Sequence, residues 1–194
     1  MRTLILGAVL LAAAAPLSAQ AGHQHDPDNA APGGGGTLPA GWHITTGPAV
    51  ILWRPEDAAT GEFTASATLH QTKAPTHPEA YGVFVAGSGL DSATPEYLYF
   101  LVRGDGKYMV RHRAPNGEVH TVVDWTDSPA VHKQNEAGAA SNALTVEGGP
   151  WGVRYKINGT QVGEFSGVKA TGIVGLRVNH NLDVHVSDFS VTRR

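Results

Sequence analysis

Cationic side chains recur at alternate positions along several short segments of this sequence. A guanidinium group donates paired hydrogen bonds to a carboxylate or to neighbouring oxygens, so a row of such groups suits a sugar or an acidic glycan. Tyrosine and tryptophan rings add flat surfaces on which a pyranose ring stacks. The candidate ligand-binding residues are Arg111, Arg113, Arg154, Lys156, Arg177, Tyr97, Tyr99, Trp125 and His120.

The same residues also have a purely structural explanation. Solvent-facing strand positions favour long polar side chains, and charges at a sheet edge discourage pairing with other chains. Spacing alone therefore leaves open whether the cations bind a ligand.

Catalytic motifs are scarce. The chain has no Cys, and it contains neither a G-x-S-x-G elbow nor an H-E-x-x-H pair. Glu118 and Asp124 share a strand face but lie about 20 Å apart at the rise of a strand, whereas two-carboxylate glycoside chemistry uses roughly 5–10 Å. Carboxylates on different strands remain candidates for such a pair, and the catalytic residues are unassigned. These candidates are Glu62, Glu96, Asp183 and Asp188.

Metal ligands are present without a recognisable ligand loop. His23 and His25 near the N-terminus suit a transition metal. The Gly- and Pro-rich residues around them, however, predict a solvated linker that would not fix the two ligands in a coordination geometry. No metal site and no cofactor is assigned, and calcium is kept as an alternative because oxygen ligands are available. Those oxygen ligands are Asp91, Asp124, Asp127 and Asn179.

The elements that would position these side chains are strands, because apolar and polar residues alternate almost everywhere from Trp42 onward. Asp105-Gly106 and Asn158-Gly159 each separate two alternating runs, which predicts two β-hairpins. No segment of helical length shows a period of 3.6. Further predicted strands cover Val50–Trp53, Phe63–His70, Tyr81–Ala86, Glu118–Trp125, Asn142–Glu147, Ile173–Val178 and Val184–Val191.

About a dozen strands in roughly 150 residues predict an antiparallel β-sandwich of two stacked sheets rather than a small closed barrel. The segment 171–194 contains two alternating runs joined by a short polar stretch. We expect its last strand to return beside its neighbour and to close the sheet near the N-terminal strand, as in jelly rolls. Trp53 and Trp151 lie on apolar faces, which predicts that both belong to the core.

Two segments carry a family resemblance: "LTVEGGPWGVRYKINGTQVGEF", residues 144–165, and "TGIVGLRVNHNLDVHVSDFSV", residues 171–191. Together with "VVDWTDSPAVH", residues 122–132, they resemble the concanavalin A-like, laminin-G-like jelly-roll domains of bacterial exported proteins. The resemblance covers about Trp42 to Arg194 and implies an all-β sandwich.

Within that superfamily, the catalytic relatives that the sequence suggests are the 3-keto-disaccharide hydrolase family and the laminarinase-like glycosidases. The latter place several carboxylates at every second position of one strand, and this chain has no such Glu-x-Asp-x-Glu run. The resemblance thus implies either a non-catalytic binding module or a glycoside hydrolase.

The N-terminus has the three parts of a secretory signal peptide. Arg2 is the positive residue, Leu4–Pro16 is apolar, and Ala19-Gln20-Ala21 fits the cleavage rule. The apolar run is shorter than the roughly 20 residues that span a bilayer. We therefore predict a cleaved Sec-type signal over residues 1–21, a bacterial periplasmic or extracellular location and no transmembrane segment in the mature chain.

The composition sets the remaining boundaries. Residues 22–41 are rich in Gly and Pro and predict a flexible linker, which leaves residues 42–194 as the sandwich domain. A net charge of −3 with scattered acids and bases argues against a nucleic-acid partner.

Three functions remain open at this point. The first is an exported non-catalytic module that binds carbohydrate or another cell-envelope component. The second is a glycoside hydrolase of the 3-keto-disaccharide type, and the third is a structural or interaction domain without a sugar ligand.

Overall fold

The computed structural model describes residues 31–32 and 41–194, and these residues contain no helix. The predicted all-β fold is confirmed. The predicted signal peptide and most of the predicted linker lie outside the described residues and stay predictions. The strands are β1 (Ala31–Pro32), β2 (Trp42–Thr45), β3 (Val50–Ala59), β4 (Phe63–Gln71), β5 (Ala80–Ser88), β6 (Glu96–Arg103), β7 (Lys107–Arg113), β8 (Val119–Asp127), β9 (Ala140–Gly149), β10 (Gly152–Ile157), β11 (Thr160–Ser166), β12 (Gly172–Val178) and β13 (Asp183–Arg193).

The strands form two sheets. The seven-stranded sheet has the order β1-β3-β12-β5-β6-β7-β8, and the six-stranded sheet has the order β11-β10-β9-β4-β13-β2. All pairings are antiparallel except that of the two-residue β1 with β3, which is parallel. The predicted two-sheet antiparallel sandwich is confirmed.

Both predicted hairpins are present, β6–β7 and β10–β11. Asn158 and Gly159 have φ values of 48° and 80°, the combination that a tight two-residue hairpin turn requires. Gly106 has a φ of 96° in the other turn. The turn chemistry therefore sets the register of both strand pairs.

The prediction that the last two strands pair with each other is wrong. β12 lies between β3 and β5, whereas β13 pairs with β4 and β2 in the other sheet. The connection crosses between the sheets and is held by Thr46, whose Oγ1 donates to the Asn179 carbonyl at 2.6 Å and accepts from the Leu182 amide at 2.9 Å. The pairing of β13 with β2 does place the final strand beside an N-terminal one, as predicted.

The main core lies between the sheets, where inward-facing side chains of the alternating strands meet. Phe100 of β6 and Tyr155 of β10 pack across the sandwich with ring centroids 4.9 Å apart. Such a pair adds about 0.5–1.5 kcal/mol beyond the burial of its surface. The Tyr108 hydroxyl donates to the Val162 carbonyl at 3.0 Å and fixes the same two sheets together.

A second apolar cluster occupies the outer face of the seven-stranded sheet. Trp53 belongs to it and is buried, as predicted. Trp151 is not in the core: it is 37% exposed. It lies in the turn before β10, where Gly152 at a φ of 130° interrupts the pleat, so the alternation that holds from Val153 onward does not extend to it.

No helix in the part of the chain that the structure describes has the length and apolar character needed to cross a membrane.

Candidate functional site

The outer face of the seven-stranded sheet carries a group of arginine and aromatic side chains, which we call the arginine–aromatic face. Cross-strand pairing brings them together, because Tyr97 lies opposite Arg113 and Tyr99 opposite Arg111. Directly opposed side chains on one face lie within contact distance. The face consists of Arg103, Arg111, Arg113, Arg177, Tyr97, Tyr99 and Trp125.

Arg177 forms the buried end of this face. Its Nη1 donates to the Tyr97 hydroxyl at 2.7 Å, and its Nε donates to Asn179 Oδ1 at 3.3 Å. Its guanidinium also lies over the ring of Tyr99, 4.5 Å from the centroid. A buried guanidinium is costly unless its donors are bonded and its face is stacked, and this arrangement supplies both.

The opposite end of the face is partly exposed. The Arg111 side chain is 20% exposed and lies 4.0 Å from Asp124. Arg103 covers the Trp125 ring at 4.4 Å from its centroid. A ligand that reaches this edge would meet a cation and an indole ring side by side.

Arg103 is oriented by the carboxylate two residues further on. Its Nε and Nη2 donate to Asp105 at 2.9 and 2.6 Å, and the hydrogen bond from Arg103 lowers the pKa of Asp105. This pair holds the guanidinium over the ring of Trp125. The prediction from sequence did not include Arg103, although its position, two and four residues after Leu101 and Tyr99, gives it the same strand face.

Six of the nine predicted ligand-binding residues lie on the arginine–aromatic face, and three lie elsewhere. Arg154 and Lys156 lie in the six-stranded sheet, where both contact Glu147, at 3.0 and 2.5 Å. His120 stacks on His112 across β7 and β8, with ring centroids 5.9 Å apart. The binding role of all nine residues stays a prediction.

A groove of about 520 Å³ surrounds Trp151 on the six-stranded sheet. It brings together carboxylates that are far apart in sequence: Glu62, Glu147 and Glu164 all line it. Arg154 bridges the latter two, at 3.0 and 2.9 Å. Glu62 is one of the candidates predicted from the sequence, whereas Glu147 and Glu164 are not, because only the pairing of β9, β10 and β11 brings them beside it.

Glu147 does not have the raised pKa of a glycosidase proton donor. Hydrogen bonds from Lys156 and then from Arg154 lower the pKa of Glu147, whereas a general acid requires a raised pKa. Glu147 is therefore held as a carboxylate in an ion-pair cluster.

The other proposed carboxylates do not converge with one another. Asp183 accepts from Thr72, which contributes most to lowering its pKa, and it contacts Lys73 at 3.1 Å and His43 at 2.9 Å. Glu96 of β6 lies 3.2 Å from His112 of the adjacent strand β7. Asp188 lies in β13 at a break in its pairing with β4, with a φ of 54°.

Three of the four calcium candidates contact cationic side chains. Asn179 accepts from Arg177, Asp124 lies 4.0 Å from Arg111, and Asp127 lies 3.4 Å from Lys107. The fourth, Asp91, is in the β5–β6 connection. Calcium binding by these residues stays a prediction.

Comparison with solved structures identifies the fold. The carbohydrate-binding module CBM66 from Bacillus subtilis superimposes with a TM-score of 0.58 at 10% identity, over 77% of this chain and 84% of that one. A Bacillus subtilis protein of unknown function with a galectin-like fold gives 0.55 at 14% identity, over 78% and 83%. Sheep galectin-11, solved with glycerol, gives 0.50 at 10% identity, over 80% and 99%.

These likenesses establish a galectin-like jelly-roll sandwich, consistent with the concanavalin A-like fold expected from the sequence. They show no link to the 3-keto-disaccharide hydrolases. No family model matches the chain, and no curated protein matches its sequence.

Proposed function

We propose that this protein is a carbohydrate-binding β-sandwich module and that its ligand binds at the arginine–aromatic face. The observation that carries the proposal is the meeting of Arg111, Tyr99 and Arg177, from three separate strands, on one face of one sheet. Sugar sites combine aromatic surfaces with a few oriented polar donors. A module named for carbohydrate binding has the same fold.

The ligand enters at the β7–β8 edge, because Arg111 and Trp125 are accessible there while Tyr97, Tyr99 and Arg177 are buried. Trp125 offers the stacking surface and Arg111 the charged donors. The buried side chains of Tyr97, Tyr99 and Arg177 support this edge from the interior of the face.

The arginines favour an anionic sugar, such as one carrying a uronic acid carboxylate. Four guanidinium groups, those of Arg103, Arg111, Arg113 and Arg177, lie on the face. A sugar carboxylate would form a charge-assisted, bidentate pair with an arginine. Neutral glycans would then bind more weakly and with less dependence on salt.

We further propose that the module binds without hydrolysing its ligand. The carboxyl groups of Asp105, Glu147 and Asp183 all have lowered pKa values, which keeps them ionised at neutral pH. None of these three can act as the acid of a glycosidase under those conditions. Hydrolysis assays on ordinary and on keto-oxidised disaccharides test directly whether the module is non-catalytic. Turnover of either substrate would contradict that proposal.

Export is the remaining part of the proposal, and it rests on the signal-like pattern of residues 1–21. N-terminal sequencing of protein recovered from a bacterial host should start near Gly22. Recovery of intact Met1 from the cell envelope would contradict cleavage.

The binding proposal is tested with a glycan array and two matched arginine variants of the full chain. Arg111→Ala removes a guanidinium from the arginine–aromatic face, and Arg154→Ala removes one from the opposite sheet. We expect retention on acidic glycans to fall at least tenfold in the first variant and to remain in the second.

The reverse result would move the ligand site to the groove around Trp151. Equal retention by both variants would exclude a specific arginine contact. Absence of retention on any glycan would favour a structural or interaction domain.

A further inference from the structure

A cluster of metal-ligating side chains lies at one end of the sandwich, where it shares a cavity with Arg103 of the arginine–aromatic face. His77, Glu79 and His180 each offer one ligand atom, and these atoms all lie within 4.8 Å of one another. Nδ1 of His77 and Nε2 of His180 are each 2.8 Å from the same atom, Oε1 of Glu79. We propose that these three residues form a binding site for a divalent transition metal, Zn²⁺ in particular.

The β-sheet fixes two of the three ligands. The register of β12 with β5 pairs Val178 with Tyr81, and the next backbone bond, Asn179 N to Ala80 O at 2.9 Å, continues that ladder. Extending it by one more residue places His180 opposite Glu79. Both side chains are nearly buried, at 8% and 7% exposure.

The third ligand is held by the proline between His77 and Glu79. A residue before proline is restricted to extended conformations, and side chains two positions apart in an extended segment point the same way. The sequence His77-Pro78-Glu79 therefore turns both ligand atoms toward one point without help from other elements.

The connection that carries His180 is also anchored. Thr46 bonds to the Asn179 carbonyl and the Leu182 amide on either side of it. Asn181, at a φ of 55°, brings its amide within 3.4 Å of Nε2 of His77. A metal-bound histidine usually gives its second N–H to an oxygen, and rotation of the Asn181 amide presents its Oδ1 to that nitrogen.

The geometry is close to that of a bound metal. Tetrahedral zinc with ligand bonds of about 2.0–2.2 Å separates neighbouring ligand atoms by roughly 3.3 Å. The two 2.8 Å contacts of Glu79 would each have to open by about half an ångström, and the two imidazole nitrogens, which lie within 4.8 Å of each other, would have to reach the same separation. Small rotations of the Glu79 carboxylate and of the half-exposed His77 side chain would supply these movements.

The donor set selects the class of metal. Two imidazoles and one carboxylate suit zinc and its first-row neighbours, whereas calcium and magnesium prefer oxygen ligands throughout. His77 is 48% exposed and borders a cavity of about 180 Å³ together with Glu79, Arg103, Asp105 and Gln134. The fourth coordination position therefore faces a space large enough for water or an exchangeable ligand.

The experiment measures zinc binding by calorimetry on the full chain after removal of metal with a chelator, with calcium as the comparison ion. We expect one Zn²⁺ per chain and no calcium binding at the same concentration. His77→Ala and Glu79→Gln should each weaken zinc binding by at least about tenfold. His77→Ala removes a half-exposed side chain, so its fold should persist, and far-UV circular dichroism checks that it does.

Two controls address the other histidines. His185 lies in a row with His43 and His70, with ring centroids 6.4 and 5.9 Å apart, and His185→Ala tests that row. A variant with His23 and His25 both changed to Ala tests the N-terminal pair. Zinc bound to the folded chain should raise the Tm of the parent, and both controls should keep that rise together with the zinc affinity.

Retained affinity in both His77→Ala and Glu79→Gln would overturn the site. Loss of binding in either histidine control instead would assign the metal to that other group, and no zinc binding by the parent chain would exclude a site altogether. These results do not depend on glycan binding, which is measured separately.

Discussion

Arg177 donates a hydrogen bond to the hydroxyl of Tyr97 over 2.7 Å, although the two residues are eighty positions apart in the chain. Each comes from a different strand of the seven-stranded sheet, with β5 between them. The bond also orients the guanidinium over Tyr99. One side chain thus connects the chain's C-terminal strands to the hairpin that carries Arg111 and Arg113.

The first prediction concerns the strength of that connection. Tyr97→Phe should lower the free energy of unfolding by about 1–2 kcal/mol, because it leaves a buried donor of Arg177 without that acceptor. Arg177→Met should cost about 2–4 kcal/mol through lost hydrogen bonds and lost stacking. Urea unfolding of both single variants and the double variant measures the coupling, expected at about 1–2 kcal/mol. Strictly additive effects would show that the bond does not contribute.

The second prediction separates the two candidate ligand surfaces by their indole rings. Trp125→Ala should abolish the change in tryptophan fluorescence on addition of an acidic glycan, since the stacking ring at the β7–β8 edge is removed. Trp151→Ala removes the exposed ring of the other sheet and should leave both the affinity and the signal in place. Loss of affinity in Trp151→Ala alone would instead support the groove around Trp151.

The third prediction concerns the connection between β8 and β9. Gly138 has a φ of 82°, and a Cβ there would lie 1.9 Å from the backbone nitrogen of Ala74. Gly117 has a similar φ of 86° with nothing within 4 Å. Both alanine variants share the cost of positive φ, about 1 kcal/mol, so the difference between them measures the clash.

We expect Gly138→Ala to lower Tm clearly more than Gly117→Ala does. The loop that it distorts also positions the Gln71 side chain, which donates to the Gly138 carbonyl at 2.6 Å. Equal effects of the two variants would mean that the loop containing Gly138 moves away from Ala74 without a cost in stability.

Much of the arginine–aromatic face follows from local sequence rules. Alternation places Tyr97 with Tyr99 on one face of β6 and Arg111 with Arg113 on one face of β7. The Gly-Asp-Gly turn between them makes the two strands an antiparallel pair, so these four side chains share a face whatever the rest of the fold does.

The position of Arg177 does not follow from such rules. Its strand lies next to β5 and β3, which are distant in sequence, and alternation alone does not specify the neighbours of a strand. Arg154 and Lys156 show that the same sequence pattern also occurs outside the arginine–aromatic face. Their pattern is the same as that of Arg111 and Arg113, yet they lie in the other sheet against Glu147.

The path of the connection between β12 and β13 also does not follow from alternation. The polar stretch Asn179–Leu182 has the length and composition of a hairpin turn, but it crosses between the sheets because Thr46 bonds both of its ends. Side-chain anchoring by a residue 133 positions away leaves no periodic signal. The His77-Pro78-Glu79 segment carries no recognisable metal signal on its own, because the third ligand, His180, lies 101 positions after Glu79 in the chain.

The fourth prediction uses the lowered pKa of Glu147, whose chief cause is the hydrogen bond from Lys156. A carboxyl whose folded-state pKa is depressed contributes stability at pH values above its unfolded pKa, here near 4.5, and loses it as the pH falls through the folded value. Glu147→Gln should therefore be less stable than the parent at pH 7, by about 1 kcal/mol or less because the pair is partly exposed to solvent.

That difference should shrink steadily in urea unfolding experiments as the pH is lowered from 5 to 3, because the parent's carboxylate becomes protonated and loses its partners. Lys156→Met removes the main cause of the shift, so in that background the Glu147→Gln effect should be smaller and should disappear at a higher pH. A difference between Glu147→Gln and the parent that stays constant from pH 7 to 3 would mean that charge plays no part in it, and that Glu147 contributes through neutral hydrogen bonding and packing alone.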